Sequence, residues 1–268
     1  MAVRIAVFGA GGKVGLSIVR AVAASKGAAV VSAAVERPEY PYLAGDVSQL
    51  AGLSPSGVRV ASEPPAKGAA DVWIDFSAPA ATLANLQAGV AAGAAMVIGT
   101  TGLSAADKDK IAAAAKTNPI VFTPNFSMGV NVMLKLIADA ARLLGPGYDI
   151  EIVETHHRLK RDAPSGTALR LAEAVADASG RDLAKTARYD RHGDIGPRTD
   201  AEIGIQTLRG GDVFGDHTVF FLGQGDRIEI THRASSRDTF AHGAVRAALW
   251  LAGKPAGLFD MQDVLGLK

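Results

Sequence analysis

The segment Glu154-Thr155-His156-His157-Arg158-Leu159-Lys160-Arg161-Asp162-Ala163-Pro164-Ser165-Gly166-Thr167 concentrates more acid–base chemistry than any other part of the chain. Between His156 and Arg170, four Lys or Arg stand against one Asp, with two histidines beside them. Pro164 followed by Ser165-Gly166-Thr167 reads as the start of a helix over Ala168–Ala178, where free backbone N–H groups and hydroxyls favour an anion. Histidines, Lys and Arg beside such a helix start suggest a small carboxylated substrate, together with proton donors for a reaction that creates basic nitrogen or oxygen. The chain has no Cys, which removes disulfides, Cys-ligated metals and a thiolate nucleophile from consideration. Adjacent His156 and His157 on a strand point to opposite faces, and His192, His217, His232 and His242 show no ligand spacing, so no metal site is expected. Those last four histidines read as surface or satisfied core groups.

A second cluster lies near the N-terminus. Gly9-Ala10-Gly11-Gly12-Lys13-Val14-Gly15 falls between an apolar run and a helical pattern, where dinucleotide-binding folds lay a pyrophosphate across backbone N–H groups. Val14 stands where a strict G-x-G-x-x-G would need glycine, so the better description is Gly9-x-x-Gly12-x-x-Gly15. Glu36 ends the second apolar run about 20 residues later, where an acid can accept hydrogen bonds from ribose hydroxyls. Arg37 and Lys13 supply cationic groups for a 2′-phosphate, so both NADH and NADPH are expected to bind. Gly99-Thr100-Thr101-Gly102 and Thr123-Pro124-Asn125-Phe126 follow later apolar runs, at the strand ends where open α/β sheets hold ligands.

The elements needed to place these groups are legible in the hydrophobic pattern. Val3–Phe8, Val30–Val35, Val58–Val60, Val72–Phe76, Met96–Ile98 and Ile120–Phe122 read as strands. Val14, Ile18, Val19 and Val22 mark a first helix, Leu83, Leu86 and Val90 the stripe of a second, and Ser104 caps a third through Ala115. This alternation predicts an α/β, Rossmann-type parallel sheet covered on both faces. From Ser127 the pattern changes. A long helix carries Val130, Leu134, Ile137, Ala141 and Leu144, Ile150–Thr155 is a strand, and residues 179–200 read as a surface loop. Ile203–Leu208, Thr218–Leu222 and Arg227–His232 look antiparallel, the first two joined through Arg209–Gly215. The second half is therefore α+β with a mixed or antiparallel sheet. Phe240–Leu251 gives a last helix, and Ala256–Leu267 an apolar tail.

Composition narrows the class further. At 268 residues the chain has room for one large or two small domains. A net charge of +1 gives no reason to expect a nucleic-acid partner. The uncharged stretch between Asp75 and Asp107 is Ala- and Gly-rich and interrupted by Pro79, so it reads as close-packed α/β interior and no membrane span is expected. The chain runs straight into Val3–Phe8 without a charged region or cleavage site, so no signal peptide is read and a cytoplasmic location is expected.

The motifs together resemble those of the 4-hydroxy-tetrahydrodipicolinate reductase (dihydrodipicolinate reductase) family over nearly the whole chain. Glu154-x-His156-His157-Arg158-x-Lys160-x-Asp162-Ala163-Pro164-Ser165-Gly166-Thr167-Ala168 is similar to the family's long signature. Gly9 to Gly15, Gly99 to Gly102, Asn125-Phe126-Ser127, Ile230 to Ala234, Phe240 to Ala244 and Gly257 to Leu265 support it. The resemblance implies NAD(P)H-dependent reduction of a dicarboxylate ring in lysine and diaminopimelate biosynthesis. It implies His156 as proton donor or acceptor with Lys160 as its partner, and His157, Ser165, Gly166 and Thr167 as substrate ligands. Gly9, Ala10, Gly11, Gly12, Lys13, Val14, Glu36, Arg37, Gly99, Thr100, Thr101, Thr123, Pro124, Asn125 and Phe126 would hold the cofactor. Thr123-Pro124 stands where many relatives carry Ala or Val, a change of loop shape that touches no proposed chemical group. The same resemblance implies residues 1–126 and 237–268 as the dinucleotide-binding domain, 127–236 as the substrate domain, and a homotetramer built from the second domain's sheets. Two rivals remain open at this point: another nicotinamide-dependent amino-acid dehydrogenase, and a non-catalytic dinucleotide sensor.

Overall fold

The computed structural model describes residues 1–268. The chain divides into two compact units, one of Met1–Met128 with Arg237–Lys268 and one of Gly129–Ser236.

In the first unit, β1 (Val3–Phe8), α1 (Lys13–Ala23), β2 (Ala29–Val35), α2 (Val47–Leu50), β3 (Val60–Ala61), β4 (Val72–Asp75), α3 (Pro79–Ala92), β5 (Ala95–Ile98), α4 (Ala105–Ala114) and β6 (Pro119–Phe122) follow in order. The chain then passes through the second unit: α5 (Met128–Leu144), β7 (Asp149–His156), α6 (Gly166–Ser179), α7 (Leu183–Thr186), β8 (Ala187–Arg188), β9 (Ile203–Arg209), β10 (Asp216–Leu222) and β11 (Arg227–Arg233). It returns to the first with α8 (Asp238–Leu251), β12 (Gly257–Phe259) and α9 (Met261–Leu265).

The first unit's sheet has the order β12-β6-β5-β4-β1-β2-β3, and every pairing is parallel. Its strands are short apolar runs because both faces are covered, and alternate side chains feed two separate cores. Ile5, Val7, Ile74, Val97 and Val121 pack with Ile18 and Val22 of α1 and Ala244, Ala248 and Leu251 of α8. Ala6, Phe8, Trp73, Met96, Ile98 and Ile120 pack on the other face with Leu86 of α3 and Ile111 of α4. Each fully buried large side chain contributes about 1.5–3 kcal/mol, so the two layers dominate the unit's stability.

Three sequence expectations shift here. The pairing of β3 with β2 begins at Val60, because the Val58 carbonyl accepts from Val47 N and Arg59 bridges to Asp46. The buried stripe of α3 is Thr82, Leu86 and Gly89, while Val90 is exposed, since a Cβ at Gly89 would already meet the Met96 sulfur. The apolar tail is not a tail: β12 extends the sheet beside β6, and α9 is capped by a reciprocal Asp260–Asp263 box. The helix expected from Ser104 is present, with Ser104 and Asp107 forming the same kind of box.

The second unit's sheet has the order β11-β10-β7-β9-β8. It is mixed: β10 runs antiparallel to β7 and β11, whereas β9 runs parallel to β7 and β8. The expected hairpin between β9 and β10 is therefore absent. Those strands flank β7 on opposite sides, and residues 210–215 cross over its carboxyl end, held by Gly210 N to His156 O, Arg158 N to Gly211 O and His157 N to Val213 O. The stretch read as a loop contains α7 and β8. On one face Ile150, Ile152, Ile203, Ile205, Val219 and Phe221 pack against Met133, Ile137 and Ala141 of α5 and Leu171 and Val175 of α6. No helix is long and apolar enough to cross a membrane.

Gly243 shows how tightly the returning helix fits the first unit: a Cβ there would lie 1.8 Å from the Phe126 carbonyl oxygen. Gly243→Ala must therefore push α8 or the residue 126 backbone aside, an overpacking cost of about 1–3 kcal/mol. Urea unfolding should show a lower midpoint for that variant, and an unchanged midpoint would contradict this packing.

Candidate active site

The glycine turn sits at the carboxyl end of β1, where the strand order reverses between β2 and β4, the usual ligand crevice of an open α/β sheet. Gly9 takes a left-handed conformation, φ +72°, and Gly9 and Ala10 both donate to the Val35 carbonyl. Gly15 allows the start of α1 to pack onto this turn, since a Cβ there would fall 2.1 Å from the Gly9 carbonyl oxygen. Gly12 caps α1 without a side-chain hydrogen bond, and no acid occupies the helix's first turn, so the first amides of α1 itself are left for an anion. Lys13 and Gly12 are exposed and Val14 is half-buried. Glu36 meets the same turn: its Oε1 accepts from Gly11 N at 3.0 Å and its Oε2 from Arg37 N at 3.1 Å, leaving the Arg37 side chain exposed. Tyr40, outside the sequence expectation, lies over Gly11, where a Cβ would sit 2.1 Å from its ring.

The other expected cofactor segments lie at neighbouring strand ends of this unit. Gly99 packs under the Phe76 ring, and the Phe76 and Phe126 rings meet at a tilt with centroids 5.3 Å apart. Thr100 is buried, its hydroxyl accepting from Thr82 Oγ1 at 2.7 Å and reaching toward Asp75, a carboxylate with no solvent exposure. Asp75 also takes the Ser77 amide and hydroxyl and the Asn85 amide. Thr101 and Pro124 are exposed, while Asn125 accepts from Ser127 N and its backbone is held by the Thr123 hydroxyl. A hollow lined by Arg4, Lys67, Asp71 and Trp73 lies at the opposite, amino ends of the strands. Its Arg4–Asp71 pair is already matched at 2.6 Å, and it contains none of these residues.

In the second unit the end of β7 carries the chemistry. Glu154 and His156, two residues apart on one strand, share a face, and both are buried. His156 Nδ1 lies 2.6 Å from Glu154 Oε2. The pairing of β7 with β9 sets Arg209 opposite His156, and its guanidinium grips the Glu154 carboxylate with two 2.8 Å hydrogen bonds. Ser165 N and Thr207 Oγ1 complete the carboxylate at 3.0 and 3.2 Å. Burial alone would raise the Glu154 pKa, but Arg209, His156 and the Ser165 amide outweigh it and bring it down to about 2. His156 sits below the ordinary histidine range: burial lowers it most, Lys160 and Arg209 lower it further, and Glu154 opposes them.

Lys160 Nζ donates to Asp162 at 2.9 Å, so its influence on His156 is through charge. His157 is half-buried and Gly166 exposed, with nothing within 4 Å of where a Gly166 Cβ would stand. Ser165 caps α6, its hydroxyl accepting from Ala168 N at 3.1 Å and touching His217 Nε2 at 3.2 Å. Ser165, Gly166 and Thr167 thus start a 14-residue helix beside His156. Three residues of this arrangement carry no assigned chemical role in the sequence reading. Glu154 was signalled by its two-residue spacing from His156, whereas Arg209 and His217 arrive only through strand pairing. Of the two readings, surface or core, His217 takes the second: opposite Glu154 on β10, it is a buried ring 5.2 Å from His156.

Turn, acid and strand order are those of the Rossmann-type, nicotinamide-dependent oxidoreductases, here with a second unit bearing a cationic histidine centre. Residues 3–126 match the family described as "Dihydrodipicolinate reductase, N-terminus", and residues 129–265 match "Dihydrodipicolinate reductase, C-terminus". The chain is 55% identical over 266 residues to 4-hydroxy-tetrahydrodipicolinate reductase of Anaeromyxobacter dehalogenans (strain 2CP-1), covering 99% of this chain and 98% of that one. It is 55% identical over 265 residues to the reductase of that name from Pseudomonas fluorescens (strain SBW25), covering 98% and 99%. In fold it is similar to a dipicolinate-bound dihydrodipicolinate reductase from Paenisporosarcina sp. TG-14, with a TM-score of 0.76 at 23% identity, covering 98% and 99%. The chain belongs to the dihydrodipicolinate reductase family.

Burial pushes the His217 pKa down to about 4, with His156 adding to the effect. The unfolded chain binds this proton near pH 6.5 while the folded chain refuses it until about pH 4, so His217 lowers stability as pH falls through that window. The full effect is of order 3 kcal/mol. Replacing His217 with Asn should flatten the fall in urea midpoint between pH 7 and pH 4.5. An equally steep fall in both proteins would show that His217 is not its source.

Proposed function

We propose that the protein catalyses the NAD(P)H-dependent reduction of 4-hydroxy-tetrahydrodipicolinate to tetrahydrodipicolinate in lysine and diaminopimelate biosynthesis, in the cytoplasm. The observation that carries this reading is His156, oriented by a buried carboxylate and flanked by Lys160 and the start of α6. Such a group can give a proton to a substrate whose carboxylates the helix start attracts.

The first unit fits the nicotinamide cofactor. Gly9, Ala10, Gly11, Gly12, Lys13 and Val14 would take the pyrophosphate, and Glu36 and Arg37 the adenosine ribose. Gly99 to Thr101 and Thr123 to Phe126 would hold the nicotinamide end. When bound, the reduced cofactor supplies a hydride to the conjugated C=C–C=N system left by loss of water from the hydroxylated ring. Two electrons and one hydrogen enter with the hydride, and the charge it creates requires one proton. His156 donates that proton and becomes neutral, while Lys160 stabilises developing negative charge. His157 and the Ser165, Gly166 and Thr167 donors hold the two carboxylates. These anions also raise the His156 pKa as they bind, opposing burial and favouring the donor form.

Glu36 beside exposed Arg37 and Lys13 supports acceptance of both NADH and NADPH. Titration of each by fluorescence should give affinities within a hundredfold. Assembly as a homotetramer is supported by the face of the second sheet turned away from α5 and α6, where Val153, Leu208, Thr218 and Phe220 are partly exposed. Sedimentation should give four times the chain mass, and Phe220→Arg should dissociate it.

Loss of absorbance at 340 nm with freshly generated substrate tests the reaction itself. His156→Ala should lower kcat by about 10²–10⁴ with KM changed less. In the wild type kcat/KM should fall as pH rises through the depressed His156 pKa, since the acid form is then lost. Near-wild-type turnover in the variant would refute the assignment.

A further inference from the structure

We propose that Glu154 is a positioning residue for proton transfer, fixing His156 as the Nδ1–H tautomer so that Nε2 alone exchanges the proton, with Arg209 keeping Glu154 ionised for that task. This rests on the reading of His156 as the proton donor.

The hydrogen-bond inventory decides the tautomer. The Glu154 carboxylate is surrounded by donors: Ser165 N, Thr207 Oγ1 and Arg209 Nη2 on Oε1, and Arg209 Nη1 on Oε2. Gripped twice by a guanidinium, it is ionised and can only accept. A 2.6 Å contact between this carboxylate and His156 Nδ1 therefore requires the hydrogen to sit on Nδ1. The other nitrogen is then the working one. A Cβ at Gly215 would lie 2.9 Å from His156 Nε2, so the lack of a side chain at 215 is what leaves that nitrogen uncovered.

Four groups face the ring and divide by sign. Glu154 on the same strand favours the imidazolium, while Arg209 from β9 and Lys160 from the following loop oppose it. His217 from β10 stands edge-on at 5.2 Å and is held neutral. Glu154 is thus the only one of the four that supports the protonated ring. In the transfer, the Nε2–H bond breaks, its electron pair stays on the ring as the Nε2 lone pair, and the proton forms the new bond on the substrate. The Nδ1 proton does not move, Glu154 stays ionised, and solvent restores the Nε2 proton for the next turnover.

Glu154→Gln in the full-length protein, assayed with saturating reduced cofactor, tests this. The amide oxygen is required at the Oε1 position, where Ser165 N, Thr207 Oγ1 and Arg209 Nη2 all donate, which turns the NH2 toward His156 and favours the wrong tautomer. The expected result is a kcat loss of about 10²-fold or more and a falling limb of kcat/KM displaced to lower pH, with NADH affinity unchanged. In a His156→Ala background the same substitution should cost less than about threefold, since its effect runs through His156. A rate loss with an unmoved pH limb, or an equal cost in both backgrounds, would reduce Glu154 to a structural ion-pair partner and overturn the proposal. Imidazole 15N spectra of the wild-type protein give a second reading that needs neither turnover nor the variant: Nδ1–H is expected, and an Nε2–H tautomer overturns the proposal. A wild type that shows Nδ1–H but does not reduce the substrate would remove the reaction assignment and leave the tautomer standing.

Discussion

A carboxylate that has lost all contact with solvent must find donors, and in the second unit that requirement organises everything around it. Glu154 is buried at 0% exposure, and its five hydrogen-bond contacts come from four residues in three places: His156 on β7 itself, the Ser165 amide at the start of α6, and Thr207 and Arg209 on β9. Leaving such a charge unpaired costs about 3–5 kcal/mol, enough to fix the register of β7 against β9 and the approach of α6 together. The crossover of residues 210–215 follows from the same register, because β9 ends where Arg209 reaches the carboxylate and the chain must then pass over His156 to reach β10. Chemical positioning and folding are one constraint here. The groups that satisfy Glu154 are those that place His156.

The first unit solves a similar problem without a cation. Asp75, also at 0% exposure and also at the carboxyl end of a strand, is met by the amide and hydroxyl of Ser77, the amide of Asn85 and the hydroxyl of Thr100. Those neutral donors tie together the loops after β4 and β5, both of which border the crevice at the strand-order reversal. A guanidinium in that position would compete with the cofactor for the turn's electrostatics, whereas hydroxyls and amides add rigidity with no net charge. The near-zero net charge of the chain conceals this contrast between a neutral scaffold around one carboxylate and a cationic one around the other.

Periodicity made most elements legible, because apolar runs of four to seven residues between glycine turns have few other uses in an α/β chain. What failed did so for identifiable reasons. Hydropathy alone puts Val90 on the inner stripe of α3, but a small residue, Gly89, gives closer approach to Met96 and takes the inner position. β9 and β10 read as a hairpin because sequence neighbours usually pair, yet β7 lies between them, and nothing local to residues 203–222 encodes a strand inserted from fifty residues earlier. The site divides along the same line. His156 and the helix start at Ser165 were visible as a local cluster, and Glu154 was visible in principle through the two-residue strand period. Arg209 and His217, fifty residues and more downstream, enter only by pairing across β7.

The spacing Glu154-x-His156 also explains why two adjacent histidines need not share a role. On a strand, His156 and His157 must diverge, and only His156 falls on the face where Glu154, Arg209 and His217 converge. His157 instead leaves the strand: its amide binds Val213 of the crossover and its carbonyl receives Lys160 N, turning the loop that carries Lys160. The pair therefore splits into a ring held from behind by a carboxylate and a backbone hinge that sets the reach of the neighbouring lysine. A one-residue slip of β7 would exchange them, placing His157 on the buried carboxylate face and moving Glu154 away from Arg209. Because that slip would strand a buried charge, the energetic demand of Glu154 selects which histidine faces the inner cluster.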